Sequence, residues 1–201
     1  MIFVISGPSA SGKTTLVKHV RDVMPEVDFS ISCTTRPKRP TDKGDQRDYD
    51  FIDLAEFKRR VGEGYFAEWA EVHGNRYGTP WSQIKKASAT AGGASDVILD
   101  VNVDGARKIK ERFPEAVLFF VVPPDIEEIK NRLKKRNTET EESIKNRIVS
   151  LQDEISVIDH YDYIIINRKL EDAMQEIEDA IKMFKTRRER IERIRKSYAR
   201  E

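Results

Sequence analysis

Two rhythms of apolar residues alternate along this chain. Continuous apolar runs at residues 2–6, 96–101 and 116–122 read as buried strands, since no polar alternation marks a wet face, and residues 162–167 read as the last strand. A shorter run at 28–32 reads as a further strand. Between these runs, apolar positions recur at helical spacing. One helix runs to about Met24, where Pro25 ends the pattern, and others cover 81–89 and 105–113, the latter stopped by Pro114. Residues 125–136 carry Ile126, Ile129 and Leu133 on one face, residues 140–158 form another helix, and a long helix closes the chain from Asp172 onward. Strands alternating with helices predict an α/β fold around a parallel sheet.

Residues 32–80 interrupt that alternation and read as a small, mainly-β insertion. Tyr49-Asp50-Phe51-Ile52 alternates like a strand, and Asp53-Leu54-Ala55-Glu56 has the form of a helix start. Residues 65–73 are a strand by pattern, and Gly74-Asn75 signals a hairpin turn.

The first strand runs straight into Gly7-Pro8-Ser9-Ala10-Ser11-Gly12-Lys13-Thr14-Thr15, which fits G-x-x-x-x-G-K-[ST] between a strand and a helix. Successive backbone N–H groups in such a loop curl around phosphate oxygens, and the following helix points its positive end at the same anion. Lys13 reaches the outer phosphates, and the Thr14 hydroxyl is placed to ligate Mg²⁺.

Further chemistry is scattered along the chain. Cys33-Thr34-Thr35-Arg36-Pro37-Lys38-Arg39-Pro40 is too rich in proline for a helix or a central strand. Taken alone it is a solvated basic loop, or a phosphate clamp in which Arg36 and Arg39 grip bidentately. Glu68 is either a solvent-facing strand residue or a carboxylate turned into a cleft. Asp100 ends a buried strand, where ligands bind in open parallel sheets. Asn102 and Asp104 suit the cap of the next helix. Arg132 and Arg136 share a helix face and Arg147 follows on the next helix, giving a candidate lid or a helical hairpin with solvated charges.

Composition narrows the class. Charged residues make up 35% of the chain, yet 36 basic residues meet 35 acidic ones, so whole-molecule attraction to nucleic acid is not indicated. Cys33 is the only cysteine, which excludes an internal disulfide, and the three histidines show no metal-ligand spacing. No segment reaches the length of a membrane span, so a soluble cytoplasmic protein, monomer or homodimer, is expected. Residues 185–201 carry eight basic and three acidic residues and read as the exposed end of the last helix.

Colinear pieces over roughly residues 1–183 resemble the guanylate kinase family. They are Ile5-Ser6-Gly7-Pro8-Ser9, Ser32-Cys33-Thr34-Thr35-Arg36, Asp48-Tyr49-Asp50-Phe51, Phe66-Ala67-Glu68-Trp69-Ala70, Gly74-Asn75-Arg76-Tyr77-Gly78-Thr79, Ile98-Leu99-Asp100, and Arg136-Asn137-Thr138-Glu139-Thr140-Glu141-Glu142-Ser143. The resemblance implies a P-loop NTPase core with a parallel sheet (1–31, 81–122 and 159–184), an inserted mainly-β GMP-binding subdomain (32–80), a helical lid (123–158) and a basic tail (185–201). It implies ATP and GMP as partners, with Mg²⁺, and the products ADP and GDP. It also implies that Arg36, Arg39, Tyr49 and Tyr77 grip the GMP phosphate and that Ser32, Glu68 and Thr79 contact guanine. Asp100 would stand at the base end of the site, and Arg132, Arg136 and Arg147 would close over the transferred group.

Three departures stand out. Ala10 occupies a position where the family usually has glycine, so any φ above zero there would be strained. The loop between Arg39 and Tyr49 is one residue longer than usual. The family's D-x-D-x-Q-G is Asp100-Val101-Asn102-Val103-Asp104-Gly105 here. Two alternatives stand beside this expectation: a P-loop kinase acting on ribose bisphosphate, and a phosphopeptide-binding module that has lost catalysis.

Overall fold

The computed structural model describes residues 1–38, 42, 49–72, 74–88, 95–135 and 141–199. In order the elements are β1 (Ile2–Ser6), α1 (Lys13–Val23), β2 (Val27–Phe29), β3 (Ser32–Thr34), β4 (Tyr49–Phe51), α2 (Leu54–Gly62), β5 (Phe66–Val72) and β6 (Asn75–Pro80). They continue with α3 (Trp81–Ser88), β7 (Asp96–Asp100), α4 (Val103–Arg112), β8 (Val117–Val122), α5 (Ile126–Lys135), α6 (Glu141–Ser156), β9 (Tyr163–Ile166) and α7 (Leu170–Tyr198).

Five strands make a parallel sheet in the order β2-β7-β1-β8-β9. β1 is apolar at successive positions because both of its faces are covered. Phe3 and Ile5 pack among Leu16, Val17 and Val20 of α1 and Ile177 and Ile181 of α7. Ile2 and Val4 face the other way, against Ile84 of α3 and Ala106 and Ile109 of α4. From β1 the chain moves first to the β7 side and later to the β8 side, so the loop after β1 opens at a topological switch point.

A second sheet, in the order β4-β3-β6-β5, is built entirely from residues 32–80. β5 and β6 form the expected hairpin, and Gly74 takes up the turn at φ +74°. α2 starts where Asp53 accepts a hydrogen bond from the Glu56 N–H at 2.8 Å, and its Phe57 stacks on Phe66 with ring centroids 4.7 Å apart. The sheet is tied to α4 by Lys108 Nζ, which donates to the Trp69 carbonyl at 2.7 Å, and by Arg112, which donates to the Ala67 carbonyl.

One expected element is corrected. Residues 28–32 are not a single strand: β2 ends at Phe29 and pairs with β7, while β3 begins at Ser32 and pairs with β4 and β6. The chain leaves one sheet and enters the other across Ser30-Ile31, a change that a run of extended residues does not announce. Two helices also begin earlier than their apolar periodicity marks. α4 starts at Val103 because the Asn102 side chain accepts from the Gly105 N–H, and α7 starts at Leu170. Among the described residues no helix is long and apolar enough to cross a membrane. The loop around Gly44, the loop at 91–94 and the corner Asn137-Thr138 lie outside the described residues.

Candidate active site

The loop after β1 and the second sheet face each other across a cleft of about 260 Å³. Gly7, Ser9, Ala10, Ser11, Gly12, Lys13, Thr14 and Thr15 line one wall. Gly12 caps α1 with φ +99°, and a methyl added to it would stand 2.2 Å from Asn167 Nδ2. Gly7, at φ +131°, lies so close to the Val121 carbonyl that a methyl would meet it at 2.2 Å. The loop can therefore follow this path only with glycine at both positions. Lys13 Nζ donates to the carbonyls of Gly7 at 2.6 Å and Pro8 at 2.8 Å. The Thr14 hydroxyl donates to the Asp100 carboxylate at 3.2 Å, so the end of β7 meets the start of α1 at the mouth of the loop.

The opposite wall is made of side chains. Ser32, Arg36, Tyr49, Glu68 and Tyr77 line it, each held by the second sheet or its edge. Glu68 is 6% exposed and accepts a hydrogen bond from the Thr79 hydroxyl at 2.5 Å, which places Thr79 directly behind it. Burial raises the Glu68 carboxyl above the usual carboxylate range, against the opposing pull of the Thr79 bond and the Lys108 charge. Arg36 is also buried. It donates to both oxygens of Asp42, at 2.8 and 3.1 Å, and lies near the rings of Tyr49 and Phe51. A guanidinium oriented this way is already shaped for a second oxyanion with carboxylate-like geometry.

Helices α5 and α6 close one end. Arg147 of α6 lines the cleft and donates to Ser9 Oγ at 2.8 Å. Arg132 of α5 donates to the Asn167 carbonyl at 2.9 Å and to the Ser11 carbonyl at 3.4 Å, and pairs with Glu128 at 2.7 Å. The structure thus brings to the cleft Lys13, Arg36, Arg147, Ser32, Tyr49, Glu68, Tyr77 and Asp100, with Thr79 behind Glu68, while Arg132 meets the loop through the Ser11 carbonyl and does not line the cleft. Arg39 and Arg136 lie outside the described residues. Asn102 lines the cleft as the cap of α4, whereas Asp104 pairs with Arg107 and Lys108. Cys33, on β3 of the second sheet, is buried beside Phe57 and Phe66, and burial pushes its thiol up to about 11.

A guanylate kinase family model matches residues 1–184. The chain belongs to the guanylate kinase family. Among its relatives, a guanylate kinase of Thermotoga maritima is 42% identical over 174 residues, covering 87% of this chain and 82% of that protein. Another, from Carboxydothermus hydrogenoformans, is 40% identical over 191 residues, covering 95% and 92% of the two chains. The crystal structure of guanylate kinase from Anaplasma phagocytophilum superimposes with a TM-score of 0.70 at 29% identity, covering 91% of this chain and 85% of that one.

Within this family fold, the structure adds two residues that sequence reasoning passed over. Glu154 of α6 lines the cleft, and burial raises its carboxyl while the charges of Lys13 and Arg147 oppose that shift. It follows Arg147 by two helical turns, so the helix period alone could have marked it. Asn167, just beyond β9, is buried under the loop, and its Nδ2 donates to the Ser11 carbonyl at 2.7 Å. The carboxyl-end rule that singled out Asp100 applies equally to Asn167.

Proposed function

We propose that this chain transfers the γ-phosphoryl group of ATP to GMP, and to dGMP, giving ADP and GDP. One observation carries the reading: a phosphate loop and the buried Glu68, backed by the Thr79 hydroxyl, line a single cleft together with Arg36.

The donor half is residues 7–15. Their N–H groups hold the β- and γ-phosphates, and Lys13 leaves the loop carbonyls to reach them. The acceptor half is the second sheet. Arg36 takes the GMP phosphate in place of Asp42, Arg39 assists, and Tyr49 and Tyr77 bond to the same phosphate. Guanine offers two donors, N1–H and N2–H, which the Glu68 carboxylate accepts together, while Ser32 and Thr79 fix its edge. Adenine offers no such pair, and a buried carboxylate left with Thr79 as its one donor penalises it. An oxygen of the GMP phosphate attacks the γ-phosphorus in line as the bond to the ADP oxygen breaks. Arg132, Arg136 and Arg147 spread charge over the group in transit, and their lid excludes water.

The Thr14 hydroxyl and the Asp100 carboxylate are hard oxygen donors at the loop's mouth, and they fit Mg²⁺ held largely by phosphates and waters. A Mg²⁺ ion held there would supply positive charge to the ATP phosphates. The enzyme is taken to work in the cytoplasm as a monomer or homodimer, with the basic tail outside the catalytic domain. A phosphopeptide-binding module would have no use for an intact phosphate loop with Lys13. A sugar bisphosphate would leave Glu68 with Thr79 alone and no donor pair from the ligand.

The test is ADP release with Mg-ATP and each of GMP, dGMP, AMP, CMP, UMP and ribose 1,5-bisphosphate. Turnover with GMP and dGMP, absent from Lys13→Ala, is the expected result. Binding of GMP without turnover would overturn the reading and leave the binding module in its place.

A further inference from the structure

Ala10 stands in left-handed backbone at φ +64° and is the only non-glycine residue to do so among the described residues. A Cβ in that region crowds its own backbone, so an L-residue persists there only where the surroundings compensate. Ala10 is 7% exposed, and its methyl lies in an apolar cluster with Ile129 and Leu133 of α5 and Leu151 and Ile155 of α6. Its neighbours bind the same two helices: Ser9 accepts from Arg147 and Ser11 from Arg132. The crest of the loop therefore meets α5 and α6 through three successive residues. Two of those contacts are polar, and the third is a methyl that glycine would lack.

We propose that Ala10 is a positioning residue whose methyl latches α5 and α6 onto the crest of the phosphate loop. The proposal rests on reading residues 7–15 as the nucleotide loop. The three contacts differ in one respect. Arg132 and Arg147 must exchange their bonds to Ser11 and Ser9 for bonds to phosphate when a nucleotide enters, because a guanidinium prefers the charged acceptor. The methyl contact does not compete with the ligand. It keeps the helices seated while the arginines change partners, and this gives the strained backbone a use. A glycine at this position would relax the loop and loosen the helices, so the two effects have opposite signs and can be separated.

The experiment compares the parent, Ala10→Gly, Leu151→Ala and the double variant by hydrogen exchange over residues 126–135 and 141–156, with and without Mg-ATP. Thermal midpoint, kcat, and the KM values for ATP and GMP are measured alongside. A lost methyl contact shifts a docking equilibrium by about fourfold. Ala10→Gly should therefore exchange about that much faster in α5 and α6, at an equal or higher midpoint. Its kcat should be severalfold lower, with the KM for GMP unchanged. If the two side chains share one contact, the double variant falls short of the sum of the singles. Exchange in α5 and α6 equal to the parent's, or strictly additive singles, would overturn the latch. Hydrogen exchange requires no turnover. A parent that fails to phosphorylate GMP would refute the kinase reading, while the exchange rates would still decide for or against the latch.

Discussion

The phosphate loop occupies one unbroken stretch, residues 7–15, and its path depends on glycine at Gly7 and Gly12. The opposite wall gathers Ser32, Arg36, Tyr49, Glu68 and Tyr77 from separate strands and their edges, and it presents side chains. The two walls are vulnerable to different changes. Adding an atom to the backbone path is ruinous on the loop side, whereas trimming a side chain is ruinous on the sheet side. The difference follows from the ligands. A polyphosphate is recognised by any ring of N–H donors, but a guanine edge needs two acceptors at a fixed spacing.

The largest effect should come from Gly12→Ala. Its methyl would stand 2.2 Å from Asn167 Nδ2 on a backbone at φ +99°. GMP-dependent ADP release should fall about 10³-fold, as for losing well-placed donors at a transition state. GMP binding, measured at equilibrium, should survive because the sheet wall is untouched. Loss of both would show that the walls are not independent.

Glu68→Gln is the reciprocal test. The amide keeps the shape but turns one acceptor into a donor, so if Glu68 accepts from guanine as proposed, kcat/KM for GMP should drop about 10²-fold while the KM for ATP stays put. Stability should move the other way. The folded state holds the Glu68 proton to higher pH than the unfolded chain, so the parent loses stability as pH rises from the ordinary carboxylate range through the raised value. Glu68→Gln does not titrate. It should be the more stable protein at neutral pH, with the gap closing below about pH 4, as denaturant midpoints at several pH values would show. A gap that widened on acidification would mean that Glu68 is stabilised as the anion.

The same contrast explains what could be read in advance. The loop was legible because it is local: strand, glycines, lysine and helix lie in one stretch, and the spacing carries the chemistry. The parallel sheet was legible because strands buried on both faces are uniformly apolar. The sheet wall is assembled by topology, and no periodicity says that Glu68 will lie on Thr79 or that Arg36 will be gripped by Asp42. The resemblance to a family named Glu68, Thr79 and Arg36 but not Asp42, which only the fold brought to Arg36. The break at Ser30-Ile31 escaped for a related reason, since both halves are extended and only the pairing partners differ. Asn167 and Glu154 escaped because each is the kind of residue that usually faces solvent.

A smaller effect separates the loop's backbone from its side chains. Ser11 Oγ is buried with no hydrogen-bond partner among the described residues. Ser11→Ala removes an unsatisfied hydroxyl and leaves the loop N–H groups in place. It should be about 1 kcal/mol more stable in denaturant unfolding, with turnover unchanged. A clear loss of turnover would give the hydroxyl a part in the chemistry and weaken the picture of a backbone wall.

The smallest effect should come from a segment belonging to neither wall. α7 is held to the fold by Ala173, Ile177, Ala180 and Ile181, by Phe184 against Phe119, and by Lys185, which bridges Glu26 and Asp96. Beyond Thr186 the helix is almost wholly exposed, with Tyr198 at 83%, and the ion pair between Arg188 and Glu192 is internal to it. A surface pair of that kind contributes about 0.5 kcal/mol at most. Truncation after Thr186 should therefore leave kcat, both KM values and the thermal midpoint where they were, the last within about 2 °C. If truncation lowered turnover with GMP while the midpoint held, the tail would act on the cleft from outside it. The two walls would then need a third element to account for the rate.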